Sequence, residues 1–186
     1  MNTPTPALWA QELLTHLDPA DPSTRFTQLA TITPEGRPQV RTMVIREVRP
    51  ESGQLLFNTD NRTEKAQQLL VNPQAELCWY FVKPWLQFRL QGTIELHGPD
   101  STIEDVHQAW ANISPNMRQS FFWGAPRSPK TQYPPTPPSD LSTPAEHFRI
   151  GVLTVTHVIR LDLQTQPHTR TQYTRAPKGW MTTDIW

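Results

Sequence analysis

The sequence predicts a mainly β fold, an antiparallel Greek-key-like barrel with short flanking helices. Three observations carry that prediction. Strand-like segments outnumber helical ones and mostly follow one another through tight turns, which favours an antiparallel barrel over a doubly wound sheet. Neither a Gly-x-Gly-x-x-Gly loop nor a Walker loop is present, so the usual signatures of Rossmann and P-loop nucleotide binding are missing. Hydrophobic residues are 36% and charged residues 18% of the 186, with twenty prolines against seven glycines, so much of the chain must be loop around one core.

Residues 7–17 place Trp9, Leu13 and Leu17 at spacing four with Leu14 beside them, which predicts an amphipathic helix ended by Asp18-Pro19. After a proline-rich link, Phe26–Ile32 reads as a strand closed by the tight turn Thr33-Pro34-Glu35-Gly36. Pro38–Val48 alternates Val40, Thr42, Val44, Arg46 and Val48 against Arg41, Met43 and Ile45. Both faces are partly apolar, so the strand is expected to be central. The turn Pro50–Gly53 leads into strand Gln54–Asn58, and helix Thr63–Val71 stops at Asn72-Pro73. The aromatic run Ala75–Phe81 and the alternating Trp85–His97 are strands, the latter with a bulge at Gly92. Ser101-Thr102-Ile103-Glu104 is a capping box opening a helix to Ala111, and Ser114-Pro115 opens another. Residues 124–145 hold seven prolines and read as extended loop. Arg149–Leu163 and Thr169–Thr174 close the chain, with Trp180–Ile185 an optional short addition, and the expectation is a six- to seven-stranded barrel in one domain, 1–186.

Formal net charge is zero, so no basic field recruits nucleic acid. The single cysteine, Cys78, excludes an intramolecular disulfide and a cysteine-built metal site, and within Leu-Cys-Trp-Tyr-Phe it reads as a small core residue. The six histidines, His16, His97, His107, His147, His157 and His168, show no metal-ligand spacing. With no signal-peptide pattern and no apolar run of membrane-spanning length, the expectation is a soluble cytoplasmic protein. Trp79-Tyr80-Phe81 and Trp85, without a basic stripe, point to core or subunit interface rather than base stacking.

The chemistry concentrates between Gly36 and Lys65. Arg41 and Arg46 lie five apart on one strand, hence on opposite faces, and Arg41 points the same way as Met43 and Ile45. An arginine on the apolar side needs an anion or a hydrogen-bond acceptor. Thr59, Arg62, Thr63 and Lys65 surround a helix start. An ordinary N-cap explains Asp60 or Thr63, but cations are mildly unfavourable at that end of a helix. A bound phosphate would remove the conflict, because helix N-termini present free N–H groups to anions.

Taken together, Arg-Thr-Met-Val-Ile-Arg (41–46), Asn-Thr-Asp-Asn-Arg-Thr-Glu-Lys (58–65), Trp-Tyr-Phe (79–81), Gln-Phe-Arg-Leu-Gln-Gly (87–92) and Arg-Thr-Gln-Tyr (170–173) resemble the pyridoxamine 5′-phosphate oxidase-like, FMN-binding split-barrel family. The resemblance runs over 25–96 and 149–173 and is nearest to a branch known only as FMN-binding. It implies a split β-barrel homodimer with FMN between subunits. Arg41 would contact the flavin and its phosphate side, with the backbone of Thr42, Met43 and Val44 on the polar edge of the ring. Asn58 and Thr59 would line the cofactor, Thr63 and Lys65 would hold the phosphate with Arg62 assisting, and Gln87 and Arg170 would complete the site.

The same resemblance exposes departures. Glu64 stands where the oxidase has a second phosphate-site arginine, and Leu161 falls near its flavin-flanking tryptophan. Phe121 and Ala125 replace the tyrosine and arginine that grip the vitamer phosphate, and Arg46 replaces a substrate-contacting lysine. Phenylalanine offers no hydrogen bond and alanine no charge, though Arg127 lies nearby in sequence. The expectation is therefore an FMN-dependent oxidoreductase on an unidentified small molecule, with Arg46, Phe121 and Arg127 on the substrate side and no metal. The alternatives are a non-catalytic flavin carrier or sensor, the authentic vitamer oxidase, and a barrel taking haem or a deazaflavin.

Overall fold

Period-two alternation makes strands the dominant regular element of this chain. The computed structural model describes residues 6–101, 104–129 and 135–186. Helix α1 (Leu8–Thr15) precedes strands β1 (Phe26–Ile32), β2 (Pro38–Arg49) and β3 (Gln54–Asp60). Helix α2 (Glu64–Val71) then leads to β4 (Gln74–Phe81) and β5 (Leu86–His97). Helices α3 (Glu104–Ala111) and α4 (Pro115–Ser120) follow, and β6 (Phe148–Asp162), β7 (Thr169–Ala176) and β8 (Gly179–Ile185) complete the sheet. β3 runs past its predicted end because Asn58, Thr59 and Asp60 still pair with β6. The predicted capping box includes residues 102 and 103, which lie outside the described residues.

The strand order is β3-β2-β1-β4-β5-β6-β7-β8, and β3 also pairs with β6. That pairing closes the first six strands into an antiparallel barrel, while β7 and β8 extend β6 beyond it. The order 3-2-1-4 is a Greek key: three hairpin-connected strands, and a fourth that returns beside the first. Closure leaves β3 with a partner on both sides, β2 and β6, where an open sheet would end in a free edge.

Two apolar clusters fill this frame. Inside the barrel, Leu29, Ile45, Leu55, Phe57, Leu77, Trp79, Phe88 and Leu90 pack together, joined by Trp9 and Leu13 from α1. Outside it, Leu56, Ile150 and Val152 pack against Val106 and Trp110 of α3 and against Phe121 and Phe148. The rings of Trp110, Phe121 and Phe148 meet edge to face at 5.1–5.7 Å, the arrangement aromatic quadrupoles prefer. Cys78 departs from the expected core position. Alternation sends Leu77, Trp79 and Phe81 inward and leaves Cys78 half-buried on the other face. Among the described residues, no helix is long and apolar enough to cross a membrane.

Two bulges shape the barrel. The predicted irregularity at Gly92 is a register shift between Gln91 and Gly92, with Thr156 of β6 left unpaired. The second was not foreseen. β2 and β3 pair Ile45 with Phe57 and Glu47 with Leu56, so Arg46 is the extra residue. The shift puts Val48 into the core instead of on the face of Val40, which is largely exposed.

Candidate functional site

β2 and β3 part company at the bulge, and a notch opens between them. Their pairing ends at Ile45–Phe57. Beyond it, Pro38–Val44 pairs only with β1, and Asn58–Asp60 only with β6. The backbone edge of Thr42, Met43 and Val44 that faces away from β1 therefore has no strand partner. Asn58 and Thr59 border the notch from β3, and the chain turns from Asp60 into α2 at its end.

A cationic cluster sits at that end. Arg41 shares the inward face of β2 with Met43 and Ile45 and donates to the Leu29 carbonyl (3.2 Å), Thr31 Oγ1 (2.6 Å) and Gln68 Oε1 (3.4 Å). Thr31 donates to Gln68, which donates to Gln39. Lys65 Nζ lies 3.4 Å from Thr63 Oγ1. Burial pushes the Lys65 ammonium below its ordinary pKa of 10.5, and the nearby Arg41 charge pushes it further, with Asp60 pulling the other way. Burial also lowers Arg41. Among the described residues neither cation has a carboxylate within ion-pair distance.

The helix start leaves donors open as well. Thr63 is the N-cap of α2, yet its hydroxyl donates to the Asp60 carbonyl (2.7 Å) instead of capping an N–H. Thr59 Oγ1 is buried and has no hydrogen-bond partner. Two desolvated cations, an uncapped helix N-terminus and an orphaned hydroxyl together describe an anion site.

Arg62 is engaged elsewhere. Its guanidinium chelates the Asp60 carboxylate, with contacts down to 2.6 Å, and donates to the carbonyls of Phe121 (3.2 Å) and Trp123 (3.0 Å). It thus ties the segment after α4 to the turn before α2. Arg127 makes a second tie, pairing with Glu64, with both side chains well exposed. Phe121 is spent on the outer cluster at 8% exposure.

Gln87 and Arg170 lie on a different part of the sheet. Gln87 pairs laterally with Leu161, and Leu161 with Arg170, a row across β5, β6 and β7. Arg170 donates to the Trp186 carbonyl. Neither β5 nor β7 adjoins β2 or β3. Arg46 instead borders a cleft of about 430 Å³ on the outer side of the barrel, shared with Arg25, Asn58 and residues of α3.

No sequence motif marks Thr31, Gln68 or Arg25. Thr31 belongs to the inward face of β1 and Gln68 to the core side of α2, where both are buried polar side chains. Arg25 carries no motif at all.

Residues 6–98 match the family model described as pyridoxamine 5′-phosphate oxidase, FMN-binding domain. A pyridoxamine 5′-phosphate oxidase-related, FMN-binding protein from Nostoc punctiforme superposes with a TM-score of 0.87 at 32% identity, covering 98% of this chain and 99% of that one. Pyridoxine/pyridoxamine 5′-phosphate oxidase 2 of Arabidopsis thaliana is 39% identical over 108 residues, 56% of this chain and 54% of that protein. The Rhodospirillum rubrum pyridoxine/pyridoxamine 5′-phosphate oxidase is 35% identical over 127 residues, 62% of each. The chain thus spans between half and two-thirds of these curated relatives.

Proposed function

The chain belongs to the pyridoxamine 5′-phosphate oxidase family of FMN-binding domains, and on that premise we propose that it is a homodimeric, FMN-dependent oxidoreductase of the cytoplasm acting on a small molecule. The observation that carries the site assignment is the Arg41–Lys65 pair, partly buried, mutually repelling and with no carboxylate at ion-pair distance among the described residues. A phosphate dianion is what such a pair fits. Arg41, Lys65, Thr59, Thr63 and the open end of α2 would hold it. The free edge of Thr42–Val44 would meet the polar rim of the ring, with Asn58 alongside.

Arg62 has a positioning role in this reading. Through Asp60 it fixes the turn that presents Thr63 and Lys65. Gln87 and Arg170 stand apart from the phosphate cluster, which supports a site completed by a second copy of the chain. FMN, when bound, supplies hydride and single-electron transfer. The chain's residues bind its phosphate, orient its ring and bound the adjoining cleft.

Authentic vitamer oxidation is disfavoured by the packing of Phe121 and by the diversion of Arg127 to Glu64. Pyridoxamine 5′-phosphate and oxygen added to FMN-loaded protein are expected to yield no aldehyde. Anaerobic flavin bleaching by a small-molecule donor or a nicotinamide, in a species of twice the 21.4 kDa chain mass, is the expected positive result. A flavin that no donor reduces would instead make this a carrier.

A pH dependence follows from Lys65. Its folded pKa is lowered below 10.5, and a phosphate beside it raises it again, so FMN binding takes up a proton on the alkaline side. FMN affinity is expected to fall as pH rises toward and through 10.5, and to lose most of that fall in Lys65→Arg. Fluorescence titrations across pH would check it. An affinity flat in the wild type up to 10.5 would contradict it.

A further inference from the structure

The outer cleft has a charge pattern of its own. Arg46 is the unpaired residue of the β2 bulge, and bulges re-aim side chains. Arg25 pins that bulge: its Nη1 donates to the carbonyls of Arg46 (3.1 Å) and Ile45 (3.4 Å). The cleft contains two acids, Glu47 and Asp105, and Arg49 binds both through paired contacts of 2.6–3.0 Å. Arg46 itself has no hydrogen bond or ion pair from its side chain among the described residues. Crowding by protein and by Arg25 lowers its pKa although the residue stays solvent-accessible. With Arg25 and Arg46 on the wall and one Arg49 shared between Glu47 and Asp105, three guanidinium charges meet two carboxylates, so the net charge around this space is positive.

The remaining walls are of two kinds. Leu56, Ala109, Ile113 and Ile150 are apolar, whereas Asn58, Gln108 and Asn112 carry amides. A volume of about 430 Å³ suits a one- or two-ring molecule. One free guanidinium matches one carboxylate fork to fork, whereas a phosphate dianion would keep charge unmatched. We propose that this cleft receives a small monocarboxylate with an apolar body, that Arg46 grips its carboxylate, and that Arg25 is the positioning residue that holds Arg46 in place. The proposal deepens the oxidoreductase reading by naming a substrate class, and it rests on that reading only for the link to flavin chemistry.

The test titrates benzoate, phenyl phosphate and benzyl alcohol into the full chain, FMN-loaded and flavin-free, by saturation-transfer NMR and calorimetry. Benzoate is expected to bind about 10-fold or more tighter than benzyl alcohol, which forgoes at least one charge-assisted hydrogen bond of the fork. Arg46→Gln should erase that preference. Arg25→Gln should reduce it while the visible spectrum still reports bound FMN, and Arg25→Lys should restore part of it, which a general loss of fold would not do. Equal binding of benzyl alcohol, tighter binding of phenyl phosphate, or an Arg46→Gln protein that keeps its preference would each overturn the assignment. Benzoate selectivity in flavin-free protein separates failure of this pocket from failure of the cofactor reading.

Discussion

Lys65→Met is expected to make the flavin-free protein more stable and its FMN binding weaker. The two effects share one cause. Burial and Arg41 disfavour the Lys65 ammonium charge in the folded chain relative to the unfolded one. The sign follows from linkage. A base with a lowered folded pKa binds fewer protons folded than unfolded, so it costs stability wherever it is protonated and the cost fades as pH rises. Methionine keeps the apolar stem without the charge. The urea midpoint of flavin-free protein should therefore rise. FMN affinity should fall by roughly 1.5–3 kcal/mol for the lost charged hydrogen bond, about 10- to 150-fold. Loss of stability together with unchanged FMN binding would make Lys65 an ordinary structural residue.

The largest loss of stability is expected from Gly92→Ala. A Cβ at Gly92 would overlap the Thr154 carbonyl oxygen and come within 2.9 Å of its carbon and 3.0 Å of the Val155 Cα. All three are backbone atoms of β6, so no rotamer change relieves the contact. β5 and β6 form the longest pairing in the barrel, from Leu86–Asp162 to His97–Ile150, and the overlap falls at its bulge. We expect a destabilisation of about 3 kcal/mol or more in denaturant unfolding. Gly124→Ala is the control: among the described residues its Cβ would meet only Ser128 Oγ, at 3.3 Å. A change within about 0.5 kcal/mol is expected there. Comparable losses at both sites would show that the close β5–β6 approach is not what Gly92 serves.

The legible parts of this fold are those where a local pattern settles the outcome. Alternation gave β1 its boundaries, Phe26–Ile32, and the Asn72-Pro73 stop ended α2 at Val71. Gly92 was readable because a glycine inside an alternating strand has few other uses. The bulge at Arg46 was not, since it sits at the end of the β2–β3 pairing and no glycine or proline marks it. The same division holds at the candidate site. Arg41 on an apolar face and cations at a helix start were visible as local contradictions. Their common location, the splaying of β2 from β3 and the reach of Arg49 to Asp105 in α3 depend on long-range pairing. The tie from Arg62 to the carbonyls of Phe121 and Trp123 spans about sixty residues, beyond any spacing rule.

The central claim, a phosphate held by Arg41 and Lys65 at the start of α2, is tested most directly by titrating flavin-free protein with FMN and with riboflavin. The two ligands share the ring and differ in the phosphate. FMN is expected to bind at least about 100-fold more tightly, since two charged hydrogen bonds depend on the phosphate, and Lys65→Met should shrink the difference by removing one of them. Riboflavin binding as tightly as FMN, or a difference that Lys65→Met leaves intact, would contradict it.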